Sequence, residues 1–205
     1  MGKGVGMKVL VACEYSGTVR DAFIAAGHEA MSCDILPTDV PGPHYQGDVR
    51  DVLGQGWDLM VAHPPCTYLA SMGIWWNHKR PERWPLTHEA AAFVQLLWDA
   101  PIERIAIENP IGYLNRNWQK PSQIIQPWQF GHEANKPTCL WLKNLPLLTH
   151  TKIVGKGAFY TKANGARMSV WSHKQSGTDK AKRAKIASTT FDGIAQAMAD
   201  QWGAL

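Results

Sequence analysis

The sequence predicts a doubly wound α/β domain with a mostly parallel sheet, and three observations lead there. Short apolar segments alternate with helix-patterned ones along the first half of the chain. Those apolar segments lack the in–out alternation of a one-sided sheet, as strands covered on both faces do. Polar or reactive residues stand at the ends of four of them: Cys13-Glu14, Asp34, Cys66 and Glu108. In open α/β sheets ligands bind beyond the carboxyl ends of the strands, so four such ends describe one crevice.

The elements follow in order. "KVLVAC" (8–13) reads as a strand, and "GTVRDAFIAAG" (17–27) as a helix with Val19, Ala22, Phe23 and Ala26 on one face. "HEAMSCD" (28–34) is the next strand. A Pro/Gly-rich connection leads through "GDVRDVL" to "WDLMVA", a strand over 57–62 stopped by His63 and two prolines. "MGIWWNHKRPERW" (72–84) reads as an aromatic-rich loop. "THEAAAFVQLLWDA" (87–100) is a helix with Thr87 as N-cap, and "ERIAIEN" (103–109) a strand closed by Pro110. "SQIIQPWQFG" and "TCLWLKNL" suggest a closing strand pair. "TTFDGIAQAMADQW" (189–202) is a helix presenting Phe191, Ile194, Ala195, Met198 and Trp202 on one side.

At 205 residues and 45% hydrophobic content the chain forms one well-filled core. No apolar run is long enough for a membrane span, and the N-terminal stretch has no signal-peptide pattern, so a cytoplasmic protein is expected. The four cysteines (Cys13, Cys33, Cys66, Cys139) show neither a CxxC pair nor metal-ligand spacing, so neither a disulfide scaffold nor a metal site is expected. The net charge of +4 is unevenly spread. Nine Lys/Arg stand between Lys152 and Lys185 against the single acid Asp179, leaving −4 for the rest. Such a segment suits a polyanion such as nucleic acid, although a solvated lysine-rich tail has the same composition.

Cys66 is the residue with most chemical promise. A free thiol is only a few per cent thiolate at neutral pH, so catalysis needs a loop that stabilises the charge. Glu108 adds a carboxylate on the same sheet edge. A thiolate that attacks C6 of a pyrimidine and an acid that contacts N3 together make C5 a carbon nucleophile. Either residue alone also has an ordinary reading, as a small hydrophobe beside a turn or as a salt-bridge acid.

Over residues 8–145 and the last helix the chain resembles the C5-cytosine DNA methyltransferases, in the short form of phages and prophages. "PPC" (64–66) resembles the family's Pro-Cys motif, and "ENP" (108–110) its Glu-Asn-Val motif. The resemblance implies a Rossmann-like methyltransferase fold, with Cys66 as nucleophile and Glu108 at N3. It also implies S-adenosylmethionine as cofactor, taken by Glu14, Ser16, Gly17, Asp34, Asp48 and Pro64. In "CEYSG" two of the family's usual glycines are missing, and in "FGHEANKPTCLWL" Lys136 alone stays basic where the family has an arginine pair. A full target-recognition domain is absent: residues 145–187 hold the basic segment instead, and 188–205 the helix that packs back. Low sequence discrimination follows, because base readout needs positioned side chains.

The DNA side is assigned to His63, Trp75, Trp76, Lys79, Arg80, Lys136, Lys180, Lys182, Arg183 and Lys185, since aromatics among cations suit bases and phosphates. A single-domain monomer in a bacterial or phage-infected cell is expected, acting on single- or double-stranded DNA. Two alternatives stay open: C5 chemistry on a free pyrimidine nucleotide, and a non-catalytic nucleic-acid-binding domain on the same fold. A zinc deaminase does not fit, because Cys66 is followed by "TYLA" rather than by a second ligand cysteine.

Overall fold

The computed structural model describes residues 6–171, 179 and 185–205. Seven strands form one sheet: β1 (Lys8–Ala12), β2 (Glu29–Asp34), β3 (His44–Gln46), β4 (Leu59–Ala62), β5 (Arg104–Pro110), β6 (Gln123–Ile125) and β7 (Thr138–Lys143). Their order is β3-β2-β1-β4-β5-β7-β6. The first five run parallel, and β7 lies antiparallel between β5 and β6. This is a mixed, mostly parallel, doubly wound sheet of Rossmann-like form.

Alternation within each buried strand feeds two cores. Leu10, Ala12, Met60, Ala62, Ile105 and Ile107 point to one face, where Val94 and Leu97 of α3 (Trp84–Trp98) cover them. Val9, Val11, Leu59, Val61 and Ala106 point to the other. There α1 (Thr18–Ala25) contributes Val19 and Phe23, and the C-terminal helix contributes Ile194, Met198 and Trp202. Burying one such side chain contributes about 1.5–3 kcal/mol, so both layers hold the sheet.

Two stretches depart from the sequence reading. The aromatic-rich 72–84 stretch is helical: α2 (Ser71–Lys79) and a 3-10 turn (Pro81–Arg83) lead directly into α3. Consequently Thr87 lies inside α3 and does not cap it. Its buried hydroxyl accepts from Asn77 Nδ2 at 2.7 Å and donates to the Tyr68 carbonyl at 3.1 Å, tying α2 and α3 to the loop after Cys66. Beyond α4 (Leu114–Asn117), the basic segment holds a hairpin, β8 (Phe159–Thr161) with β9 (Arg167–Ser169). The last helix, α5 (Asp192–Trp202), packs against α1.

Candidate active site

The strand registers align the site. Ala12 pairs with both Cys33 and Ala62, and Ala62 pairs with Ile107. One residue further on, Asp34, Cys13, His63 and Glu108 form a row along the carboxyl edge. The order reverses between β1 and β4, where such sheets open a crevice.

Cys66 is carried by a tight turn beyond β4. His63 N–H donates to the Ala12 carbonyl at 2.9 Å, a last ladder bond before Pro64 and Pro65, which have no N–H to donate. The Cys66 carbonyl accepts from Leu69 N–H at 3.0 Å and Ala70 N–H at 2.8 Å, which closes the turn. A second loop, after β5, holds this turn in place. Asn109 Nδ2 donates to the Pro64 carbonyl at 2.8 Å, Tyr113 N–H to the Leu69 carbonyl at 2.7 Å, and Ser71 Oγ to the Ile111 carbonyl at 2.9 Å. Ala70 and Gly112 form a bridge so close that a Cβ on Gly112 would collide with the Leu69 carbonyl oxygen.

Cys66 is exposed, in contrast to the buried Cys33 and Cys139. Partial desolvation, and then the Glu108 carboxylate, push its thiol above the ordinary value, while Lys136 pulls it back. Burial alone would raise the Glu108 pKa, but His63 and Lys136 outweigh it and hold the carboxyl below its usual value. His63 Nδ1 lies 3.5 Å from Glu108 Oε2, long for a hydrogen bond. Both His63 ring nitrogens and Asn109 Oδ1 are buried and have no hydrogen-bond partner. Lys136 stands near enough to lower the pKa values of both Cys66 and Glu108, and its ammonium donates to the Ala187 carbonyl at 2.6 Å. The structure thus collects Cys66, Glu108, His63 and Lys136.

A neighbouring cavity of about 280 Å³ opens at the ends of β1 and β2, lined by Cys13, Asp34, Ile35, Asp48, Val49, Pro65 and Phe93 among others. Asp34 Oδ1 accepts from Leu36 N–H at 2.9 Å and Asp48 Oδ1 from Arg50 N–H at 3.0 Å, leaving one oxygen of each for a ligand. Two carboxylates between apolar walls fit a nucleoside, whose hydroxyls and ring edge would meet the acids and whose ring faces would meet Ile35, Val49 and Phe93. The proline on this wall is Pro65. Pro64 is buried, and Asn109 occupies its carbonyl.

Glu14, Ser16 and Gly17 sit beside this cavity in a different role. The buried Glu14 carboxylate accepts from Val19 N–H at 2.7 Å, Arg20 N–H at 3.2 Å and Ser16 Oγ at 3.1 Å, capping the start of α1. Gly17, at φ 76°, makes the left-handed turn into that helix.

The residues assigned to DNA divide. Trp75 and Trp76 on α2 are 49% and 43% exposed, which removes them from the core. Lys79 lies over the Trp75 ring at 5.8 Å and Arg80 over Trp76 at 5.5 Å. Lys185 is paired with Asp39 at 2.7 Å, so part of the basic segment is docked on the loop after β2. Lys180, Lys182 and Arg183 lie outside the described residues.

Three contributors were not evident from sequence. Asn109 was visible within "ENP" but without a role. Phe93 belongs to a helix whose pattern signals only core. Arg20 is fully buried, and its guanidinium reaches Ser32, Thr38 and the Val40 and Pro41 carbonyls, pinning the loop that carries Asp39.

Among the described residues no group of three or more His, Cys, Asp or Glu could hold a metal, and no helix is long and apolar enough to cross a membrane. No family model matches the chain, and no curated protein does. Among solved structures, that of the S. pombe Dnmt2 methyltransferase is similar at a TM-score of 0.45 and 17% identity. The match covers 69% of this chain and 50% of that one, so the chain spans about half the length of that structure.

Proposed function

We propose that the chain is an S-adenosylmethionine-dependent methyltransferase acting at C5 of cytosine in DNA, with relaxed sequence preference. The observation that carries this reading is a solvent-open Cys66 beside the low-pKa Glu108, with the unpaired His63 nitrogens and Asn109 Oδ1 around them. Unpaired buried polar atoms are costly, and a bound polar ring would supply partners for them.

The steps follow from what each group does. The base enters the crevice from a single strand, or by extrusion from a duplex at a cost of a few kcal/mol. N3 takes its proton from water, and ionised Glu108 accepts from that N3–H and from the exocyclic N4 amino group. Cys66 loses its thiol proton to water and attacks C6 as the thiolate, forming the S–C6 bond as the C5–C6 π bond opens toward C5. Lys136 offsets the negative charge that Glu108 and the thiolate bring together. Asp34 and Asp48 would hold the ribose hydroxyls and adenine edge of S-adenosylmethionine, which when bound supplies the methyl group to C5. A water or side chain then removes the C5 proton, and Cys66 leaves from C6.

A free pyrimidine nucleotide would use the same pair, and the docking of Lys185 on Asp39 leaves less of the basic segment for a polymer. Tritiated S-adenosylmethionine with duplex DNA, single-stranded DNA, RNA and dCMP distinguishes the substrates after digestion and chromatography. Label in 5-methylcytosine from DNA is the expected result. Label only in free nucleotide would move the reading to the monomer, and no label with any substrate would contradict methyl transfer.

A further inference from the structure

A second cavity, of about 680 Å³, lies between α2, α3 and the loop after β5. Its size is within the ~300–1,000 Å³ of small-ligand sites. One wall is aromatic. Trp84 meets His78 edge-on at 5.7 Å, stacks with His88 at 6.2 Å and lies 6.4 Å from Tyr113. A cation lines it too: Arg116 is exposed, as is the His88 ring, and the Arg116 guanidinium has no partner among the described residues. Aromatic faces next to a free guanidinium suit a base and its phosphate.

The cavity is contiguous in chain with the catalytic pair. Ser71, Ile111 and Gly112 on its lining adjoin or form the Ala70–Gly112 bridge. Ala70 is four residues beyond Cys66, and Gly112 four beyond Glu108. A strand presenting one base to Cys66 would bring a neighbouring nucleotide to this cavity. Its wall residues Trp84, His88 and Arg116 belong neither to the Cys66 turn nor to the Asp34 cavity.

We propose that this cavity is a second nucleotide subsite, which stacks a base flanking the target on the Trp84–His88–Tyr113 wall and holds its phosphate with Arg116. The proposal rests on the substrate being a single strand of nucleic acid, but not on methyl transfer. It gives a short-range context preference without a target-recognition domain, because stacking favours some bases over others.

The test uses the full chain and fluorescein-labelled single-stranded decamers with one central cytosine, read by anisotropy. In a parallel series one abasic residue is moved along the decamer. The expected profile has one sensitive position flanking the cytosine, where the abasic residue weakens binding about tenfold. In His88→Ala/Arg116→Gln, two exposed positions whose change leaves the melting temperature unaltered, the intact decamer binds about as weakly as that abasic one, and the sensitive position disappears. A flat profile in the unmodified protein, or an unchanged profile in the variant, would overturn the subsite. Cys66→Ala should keep the sensitive position. A protein that binds decamers with this profile yet transfers no methyl group would leave the subsite standing and remove the catalytic reading.

Discussion

Asn109 Nδ2 donates to the carbonyl of Pro64 at 2.8 Å, joining the residue after Glu108 to the residue two before Cys66. The two groups with the most chemical promise sit on different loops, 42 positions apart, and this buried bond fixes their relation. Asn109→Ala leaves the Pro64 carbonyl unpaired, at a cost of about 1–3 kcal/mol. Because small displacements of a reacting group cost up to ~10²-fold, kcat should fall by about that factor. Cofactor affinity, measured by calorimetry, should hardly change. Equal losses in kcat and cofactor binding would mean that Asn109 supports the whole edge and not the Cys66 turn.

The thiol of Cys66 is set by two opposed charges. Desolvation and Glu108 raise its pKa, and Lys136 lowers it. Its alkylation by iodoacetamide should therefore rise with pH later than that of a free cysteine. Glu108→Gln removes the negative neighbour and should move the profile to lower pH, and Lys136→Met should move it to higher pH. Mass spectrometry assigns the label to Cys66, since Cys33 and Cys139 are buried and burial drives the Cys13 thiol far up. Identical profiles in all three proteins would remove Lys136 from the site.

Asp34 keeps one oxygen free on the wall of the 280 Å³ cavity. Asp34→Ala should weaken S-adenosylmethionine binding by about ten- to a hundredfold, the worth of a hydrogen bond to a charged group. Cys66→Ala should leave that affinity nearly intact while abolishing turnover. Unchanged binding in Asp34→Ala would place the cofactor elsewhere.

Surface charge should divide as the contacts do. Neutralising Lys79 and Arg80 should lower the salt slope of DNA binding by about one to two, as expected for two phosphate contacts. Lys185→Gln should leave it unchanged, because Asp39 already neutralises that ammonium. A larger effect from Lys185 than from Lys79 and Arg80 would reverse this assignment.

What the sequence disclosed follows from the range of the interactions involved. β1, β4 and β5 are apolar on both faces, which local pattern reveals, and the ends of β2, β4 and β5 bring Asp34, Cys66 and Glu108 to one edge. Helix α2 was not legible: its buried residues are only Gly73 and Asn77, so it carries no apolar stripe. Thr87 looked like a cap because its tie to Asn77 and Tyr68 depends on where α2 lies. Lys185 looked free for DNA because its partner Asp39 is 146 positions away. The pattern of Arg20 within α1 gives no sign that its charge is fully buried by a distant loop.

Covalent attack by Cys66 on C6 is tested by trapping the adduct. A single-stranded oligonucleotide with 5-fluorocytosine at the target position is incubated with the protein and S-adenosylmethionine, then examined by intact mass and peptide mapping. Fluorine at C5 cannot leave as the proton does, so an adduct formed through C6 cannot resolve. The expected result is a stable complex with the added mass on the Cys66 peptide, and none in Cys66→Ala. Methyl transfer to cytosine without any trapped adduct, or an adduct mapped to another residue, would contradict it.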